Sequence, residues 1–301
     1  MPTMQFPYPR KTSHPPAYQP SRASTFQRRR TLRNLAPYIA GILTLIVLFL
    51  YFLRSSSPTT PRPPPGTPPV VLVTTLDAKQ SEHYKANIIE NRKDYACRHG
   101  YSTFFPNTTD YDLMSGVPSS WSTVPSMRHA MTLYPHTPWI FYLTSTALIM
   151  NPSQPLDLKV LDPRKLESLM IVDRPVVPPD RQEGLAGGSL LLRNGEWAKF
   201  FLDAWYDPLY RSYNFQKAEG HALEHIVQWH GTVLSKLALI PQRVLNGYTK
   251  EVAGSEEGRY QEGDFVANFH GCARDPKRNC EMEMKPLMVR WKELRDGEGR
   301  R

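Results

Sequence analysis

Between Arg33 and Arg54 the chain reads NLAPYIAGILTLIVLFLYFL, and from Leu35 to Leu53 it runs 19 residues without a charge. Wound as an α-helix this is roughly 28 Å long, close to the hydrocarbon thickness of a bilayer, so the segment is expected to span one. Pro37 falls in the first turn, where a missing N–H costs least, and Gly41 is tolerated in lipid. Arg28, Arg29, Arg30 and Arg33 precede the segment and only Arg54 follows closely. The positive-inside bias then keeps the N-terminus cytosolic and places the rest in a lumen or outside the cell, a single-pass type II signal anchor. A cleaved signal peptide needs a shorter apolar region and a small-x-small site, whereas LFLYFLRSSSP follows here. Six prolines in the first 20 residues oppose the amphipathic helix of a transit peptide. A buried core helix would not be apolar all round for five turns.

Charge follows the same division. The 301 residues carry 37 Lys+Arg and 28 Asp+Glu, yet no acid precedes Asp77. Nine of the basic residues lie in the first 69, leaving 28 of each sign beyond. A basic nucleic-acid-binding domain is excluded, because its footprint would have to lie on the folded part. The expected organisation is a basic, Pro-rich cytosolic tail (1–34), the anchor (35–53), a stalk RSSSPTTPRPPPGTPP (54–69) held extended by proline, and a lumenal domain (70–301).

Within that domain Val70–Thr75 reads as a buried strand, Ser81–Gly100 as a helix ended by glycine, and Tyr101–Phe105 as a second strand. Met127, Ala130, Met131 and Tyr134 share one helical face. Strands are expected at 139–143, 169–173, 189–193, 237–240 and 265–269. Helices are expected from an aromatic face at 197–205, read as core rather than a sugar-stacking platform, and from Ala222, Leu223, Ile226 and Trp229. Strands alternating with helices imply an α/β domain with a mostly parallel sheet, whose ligands sit at the carboxyl ends of strands. Glu281 and Glu283 in NCEMEMK alternate and are expected to face solvent.

Cys272 and Cys280 lie eight apart in a loop short enough to close as a disulfide, and Cys97, in a helical pattern, is then expected to be buried and inert. The alternative, a zinc site, lacks a C-x-x-C or a nearby Cys/His set. Asn107-Thr108-Thr109 is an N-glycosylation acceptor on the expected lumenal side. No G-x-G-x-x-G, Walker A, G-x-S-x-G or H-E-x-x-H occurs.

In order, NRKDYACRHGY (91–101), WSTVPSMRHAM (121–131), WIFYLTSTALIMNP (139–152), GGSLLLRNGEW (187–197), HALEHIVQWH (221–230), PQRVLNGY (241–248) and GDFVANFHGC (263–272) resemble glycosyltransferase family 34. Within it they are most similar to fungal α-1,6-mannosyltransferase subunits of Golgi mannan polymerase complexes, with galactosyl- and xylosyltransferases as more distant relatives. The resemblance covers about residues 70–290. It implies a GT-A fold, a nucleotide-sugar donor such as GDP-mannose, a mannan or N-glycan acceptor, retention at the anomeric carbon, Golgi placement, and hetero-oligomers with other mannosyltransferase subunits.

Such enzymes carry D-x-D after the strand matching 139–143, whose carboxylates hold Mn²⁺ or Mg²⁺ on the donor diphosphate. This chain has Thr144-Ser145-Thr146 there, and Asn268 where the family's H-F-x-G-C block has its His ligand. All three ligand positions are replaced, so no metal cofactor is expected. The acidic-Gln-x-Ala-Leu block appears as Glu219-Gly220-His221-Ala222-Leu223, and Ala186 stands where relatives often have Asn before the turn.

The resemblance thereby implies donor contacts from Thr74, Thr75, Arg128, Thr144, Ser145, Thr146, Gly187, Gly188, Ser189 and Asn268, and a catalytic carboxylate at Glu219. Arg128 is either a phosphate fork or a solvated helix residue, and Thr74 and Thr75 either donor contacts or strand caps. Glu219 either steadies an oxocarbenium-like centre or sits in a first helical turn favoured by the macrodipole. His221, His225 and His230 share a face but have no carboxylates arranged beside them, and read as ordinary helix histidines.

Overall fold

A strand without a polar side chain must be covered on both faces, and Val70–Val73 (β1) is covered so completely that all four residues are inaccessible in the computed structural model of the chain. The structure describes residues 37, 38, 40–50, 63–113, 115–156, 168–172, 185–212, 218–249 and 258–298. The chain divides into two units, 1–62 and 63–301.

In the first unit residues 40–50 are helical, with large apolar side chains such as Leu45 and Phe49 exposed. Among the described residues no helix is long and apolar enough to cross a membrane. The expected tail and both ends of the expected anchor lie outside the described residues. At the described end of the stalk, Thr67 N–H and Oγ1 both bond Pro64 O and Gly66 takes φ 84°, a turn that interrupts the extended run.

The second unit is built on a six-stranded sheet. Its strands are β1, Ser102–Phe104 (β2), Trp139–Leu143 (β3), Ser168–Val172 (β5), Leu185–Arg193 (β6) and Leu237–Pro241 (β7), in the order β2-β1-β3-β6-β5-β7. Pairing is parallel for β1 with β2, β1 with β3 and β5 with β7, and antiparallel where β6 meets β3 and β5. One strand therefore runs against the other five. A second sheet joins Ala147–Ile149 (β4), Val266–Asn268 (β9) and Gly247–Tyr248 (β8) in the order β4-β9-β8.

Alternation along these strands sorts the core. Val71, Val73, Ile140, Tyr142, Leu190 and Leu192 face the helices Thr123–Leu133 (α2), Glu196–Trp205 (α3) and Ala218–Trp229 (α4). Val70, Leu72, Trp139, Phe141, Leu143 and Leu191 face Tyr95 of Glu82–His99 (α1), the second sheet and Phe265. Helix α1 starts where Ser81 Oγ accepts the Tyr84 N–H at 3.0 Å and stops where Gly100 adopts φ 66°, each cap contributing on the order of 1 kcal/mol. The aromatic helix α3 buries Phe201 and Trp205 as expected, with Trp197 stacked on Phe201, while Phe200 faces out.

Two expectations change. Cys97 lies on the outer side of α1 and is exposed, because Tyr95 and Ala96 take the buried positions of that turn. The residues after Cys280 form a helix, Cys280–Glu298 (α5), whose Met284, Met288 and Trp291 recur at helical spacing and enter the core against Tyr84 and Ile88. Glu283 is therefore not an alternating solvent-facing acid: it binds both Arg278 Nε (2.9 Å) and Nη2 (2.6 Å) and is largely buried. Glu281 reaches Ser81 Oγ at 2.9 Å and His83 Nδ1 at 2.8 Å.

Candidate functional site

Strand β1 has β2 on one side and β3 on the other, so the strand order reverses at β1 and the carboxyl ends of β1 and β3 flank a switch-point crevice. A polar cluster lies there under the end of an otherwise apolar sheet. Thr74 Oγ1 donates to Leu143 O at 2.8 Å, and Thr75 Oγ1 to Ser126 Oγ of α2 at 2.9 Å. The Tyr142 hydroxyl lies 3.0 Å from Thr123 Oγ1.

Next to it is the Thr144-Ser145-Thr146 turn, held from several directions. Thr144 N–H bonds Gly188 O at 2.8 Å, and Phe269 N–H bonds Thr146 O at 2.9 Å. Tyr84 OH donates to Ser145 O at 2.8 Å, and Gln80 Nε2 to Ser145 Oγ at 3.2 Å. From below, Arg92 of α1, fully buried, gives Nη2 to Thr144 O (3.1 Å) and Ala147 O (2.7 Å) and Nε to Thr74 Oγ1 (3.3 Å). Its neighbour Asn91 matches Ile149 donor for acceptor, bonding both its O (2.9 Å) and its N–H (3.0 Å), and so acts as an extra strand residue on β4.

The three positions where the resemblance places metal ligands meet here. Thr144 Oγ1 and Thr146 Oγ1 are 3.3 Å apart, Thr146 Oγ1 donates to Asn268 Oδ1 at 3.2 Å, and Asn268 Nδ2 donates to Asn246 Oδ1 at 2.7 Å. Asn268 and Asn246 are both buried. Gly188 closes the cluster: a Cβ there would stand 2.9 Å from Asn268 Nδ2 and 3.2 Å from Thr144 Cγ2. A divalent cation on a nucleotide is ordinarily held by one or two carboxylates of the protein. These side chains are neutral, and the single amide oxygen of Asn268 already accepts from Thr146, so the donor set does not fit such an ion.

Glu219 opens α4 behind Ala218, which holds a left-handed φ of 48°. Trp205 Nε1 bonds its backbone carbonyl at 2.9 Å, Ser120 Oγ bonds its Oε2, and Arg274 Nη2 lies 4.0 Å from Oε1. Burial is the main cause that pushes its carboxyl above the ordinary glutamate value, opposed by the Ser120 bond and Arg274. The carboxylate is felt across the crevice. Burial first, with the Glu219 charge adding to it, pushes the Tyr142 phenol up to about 12. The direct partners of the Glu219 carboxylate are Ser120 and Arg274.

Other expected contacts are placed apart or differently. Gly188 lies at the cluster, but Gly187 faces Leu223 at ordinary contact distance, and Ser189 is buried with its Oγ on Leu245 O at 3.1 Å. Arg128 pairs with Asp203 of α3 at 3.3 Å, not with any group of the cluster. His225 packs between the rings of Tyr210 and Trp229. Cys272 and Cys280 form a disulfide. Asn107 extends the β1–β2 pairing beside Leu76, and Thr108 and Thr109 line a cavity of about 590 Å³ with Asp77, Lys79, Tyr111 and Ser119.

Sequence reasoning missed Arg92, Asn246 and Arg274. Arg92 and Asn246 lie inside the blocks NRKDYACRHGY and PQRVLNGY. Arg274 follows GDFVANFHGC by two positions, and only the fold brings it to Glu219.

A family model described as the galactosyl transferase GMA12/MNN10 family matches residues 66–184 and 180–281. An uncharacterized alpha-1,2-galactosyltransferase of Schizosaccharomyces pombe is 32% identical over 230 residues, covering 67% of this chain and 69% of that protein. A probable alpha-1,6-mannosyltransferase, MNN10 of Saccharomyces cerevisiae, is 31% identical over 226 residues, covering 65% of this chain and 57% of that protein. Among solved structures, a glycosyltransferase involved in glycosylation of the major capsid of PBCV-1 superposes with a TM-score of 0.55 at 12% identity. That likeness covers 73% of this chain and 99% of the viral one, and it speaks to the fold alone.

Proposed function

Because the chain belongs to the galactosyl transferase GMA12/MNN10 family of glycosyltransferases, we propose that it transfers a hexose from a nucleotide sugar bound over the Thr144–Asn268 cluster, and does so without a divalent cation. The observation that carries this reading is the chain of neutral hydrogen bonds through Thr144, Thr146, Asn268 and Asn246, which keeps the turn in place where carboxylates and an ion would otherwise be needed. The cavity between Asp77, Thr109 and Ser119 holds the nucleoside. It joins the cluster through Gln80, whose Oε1 accepts the Asp77 N–H at 3.2 Å and whose Nε2 reaches Ser145.

The relatives bear galactosyl- and mannosyltransferase names, and the mannosyl reading agrees with the resemblance of the motif blocks: mannose from GDP-mannose to an α-mannan acceptor, with retention. The bond from the anomeric carbon to the diphosphate breaks and a bond to an acceptor hydroxyl forms, the hydroxyl proton leaving with the diphosphate. Glu219, largely buried, is the carboxylate that offsets positive charge developing on the sugar. Residues 35–53 anchor the domain in the Golgi membrane as a type II protein, in complexes with other mannosyltransferase subunits.

Incubation of the purified full-length chain with GDP-mannose and mannobiose in EDTA, read by mass spectrometry, is expected to give the extended mannoside. Absence of product with and without EDTA would sink the reading. A second reading, a glycan-binding subunit without turnover, is favoured by the joint replacement at Thr144, Thr146 and Asn268. Rebuilding Thr144→Asp, Thr146→Asp and Asn268→His separates the two, since only a silent wild type would gain activity from nothing.

A further inference from the structure

Resting on that metal-free reading, we propose that Arg274 is the cation that binds the donor diphosphate, and that Glu219 holds its guanidinium in the nucleotide-free protein. Breaking the sugar–phosphate bond leaves charge on the diphosphate, and a site without a metal ion must offset it with side chains. Four other guanidiniums among the described residues are committed. Arg92 is spent on backbone carbonyls beneath the turn, Arg278 on Glu283 and His270 O, Arg243 on Asp264 at 3.0 and 2.8 Å, and Arg128 on Asp203. Arg274 is different: its carboxylate contact is 4.0 Å, the limit of an ion pair, and its side chain is 49% exposed.

Its backbone, by contrast, is fixed. The loop after β9 is closed by the Cys272–Cys280 disulfide and by Arg278 Nη1 on His270 O at 2.7 Å. Within it Arg274 N–H and Asp275 N–H both bond Gly271 O, at 3.0 and 3.1 Å. A rigid loop thus carries a loosely engaged fork to Glu219, six residues beyond Asn268 in the chain. An arginine can meet a phosphate with two parallel N–H bonds, a better match than one carboxylate oxygen at 4.0 Å, so an arriving diphosphate would take the guanidinium from Glu219. The released carboxylate then faces the sugar. The same exchange explains why a buried acid is kept beside a half-exposed base.

The test is calorimetric titration of the full-length chain with GDP, UDP, GMP and UMP in EDTA, comparing wild type with Arg274→Ala and Arg274→Lys. The expected result is that wild type binds one diphosphate, and that Arg274→Ala weakens it about tenfold while leaving the matching monophosphate within about threefold. Arg274→Lys, a point charge without the fork, should fall between and shows that the loop still folds. Equal diphosphate affinity in wild type and Arg274→Ala would overturn the assignment alone. Wild type that binds a diphosphate only when Mn²⁺ is supplied would overturn the metal-free reading, and this inference with it.

Discussion

The hydroxyl of Thr146 donates to the side-chain oxygen of Asn268 at 3.2 Å, across 122 residues of sequence. Two positions at which the family resemblance expects metal ligands are therefore each other's partners. With a carboxylate at 146, the Asn268 amide would have to turn its Nδ2 toward it and away from Asn246.

Gly188→Ala tests how tightly the cluster is closed. The added methyl would meet Asn268 Nδ2 at 2.9 Å and Thr144 Cγ2 at 3.2 Å, and the Thr144–Gly188 backbone bond leaves the turn little room to retreat. A stability loss of about 1–3 kcal/mol is expected from overpacking, read by denaturant titration. Nucleotide affinity should fall with it; a variant as stable and as tight-binding as wild type would show that the cluster can open.

Arg92 is wholly buried and its hydrogen-bond partners are oxygens of Thr74, Asn91, Thr144 and Ala147, none of them a carboxylate. Burial pulls its pKa down to about 9, which still leaves it protonated at neutral pH. Arg92→Met leaves the Ala147 carbonyl without its partner and Thr144 O with only the Ala147 N–H, with an expected cost of about 2 kcal/mol in chemical denaturation. An unchanged midpoint would mean that water takes over those bonds.

How much of this was readable beforehand depends on where the decisive partners lie. Helix α1 was legible to its caps because Ser81 and Gly100 act within one turn, and β3 because WIFYL is buried on both faces. Strands β4 and β8 were not, since ALI and GY are too short to carry a period and are strands only through pairing with β9. Helix α5 was hidden by Pro286 and by the false alternation of EMEM, although Met284, Met288 and Trp291 already marked its buried face. The loss of carboxylates at 144, 146 and 268 could be read directly. That the substitutes bond one another through Asn246 could not, because it rests on contacts 22 and 122 residues apart.

Glu219 gives a pH signature. Its carboxyl is raised in the folded chain by burial, so the native state holds the proton more tightly than the unfolded one. Stability from this group is therefore present below the ordinary value of 4.5 and is lost as pH rises through the raised folded value. Glu219→Gln removes the titration, so the variant should gain on wild type as pH increases across that window. Parallel curves for the two proteins in thermal melts would contradict the burial of an ionisable carboxyl.

The Cys272–Cys280 bridge closes a loop of eight residues' separation. Replacing both cysteines with serine should cost about 2–3 kcal/mol on a chain-entropy estimate. It should also weaken diphosphate binding more than monophosphate binding, because Arg274 loses its fixed backbone. Loss of stability with both affinities intact would separate the bridge from the site.

The most direct measurement is the rate of hexose transfer from GDP-mannose to mannobiose by the full-length chain, in EDTA and then with added Mn²⁺, for wild type and for the Thr144→Asp, Thr146→Asp, Asn268→His variant. The expected result is a wild-type rate that EDTA leaves unchanged and that Mn²⁺ does not raise, with metal dependence appearing only in the rebuilt site. A wild-type rate abolished by EDTA and restored by Mn²⁺ would contradict the metal-free site.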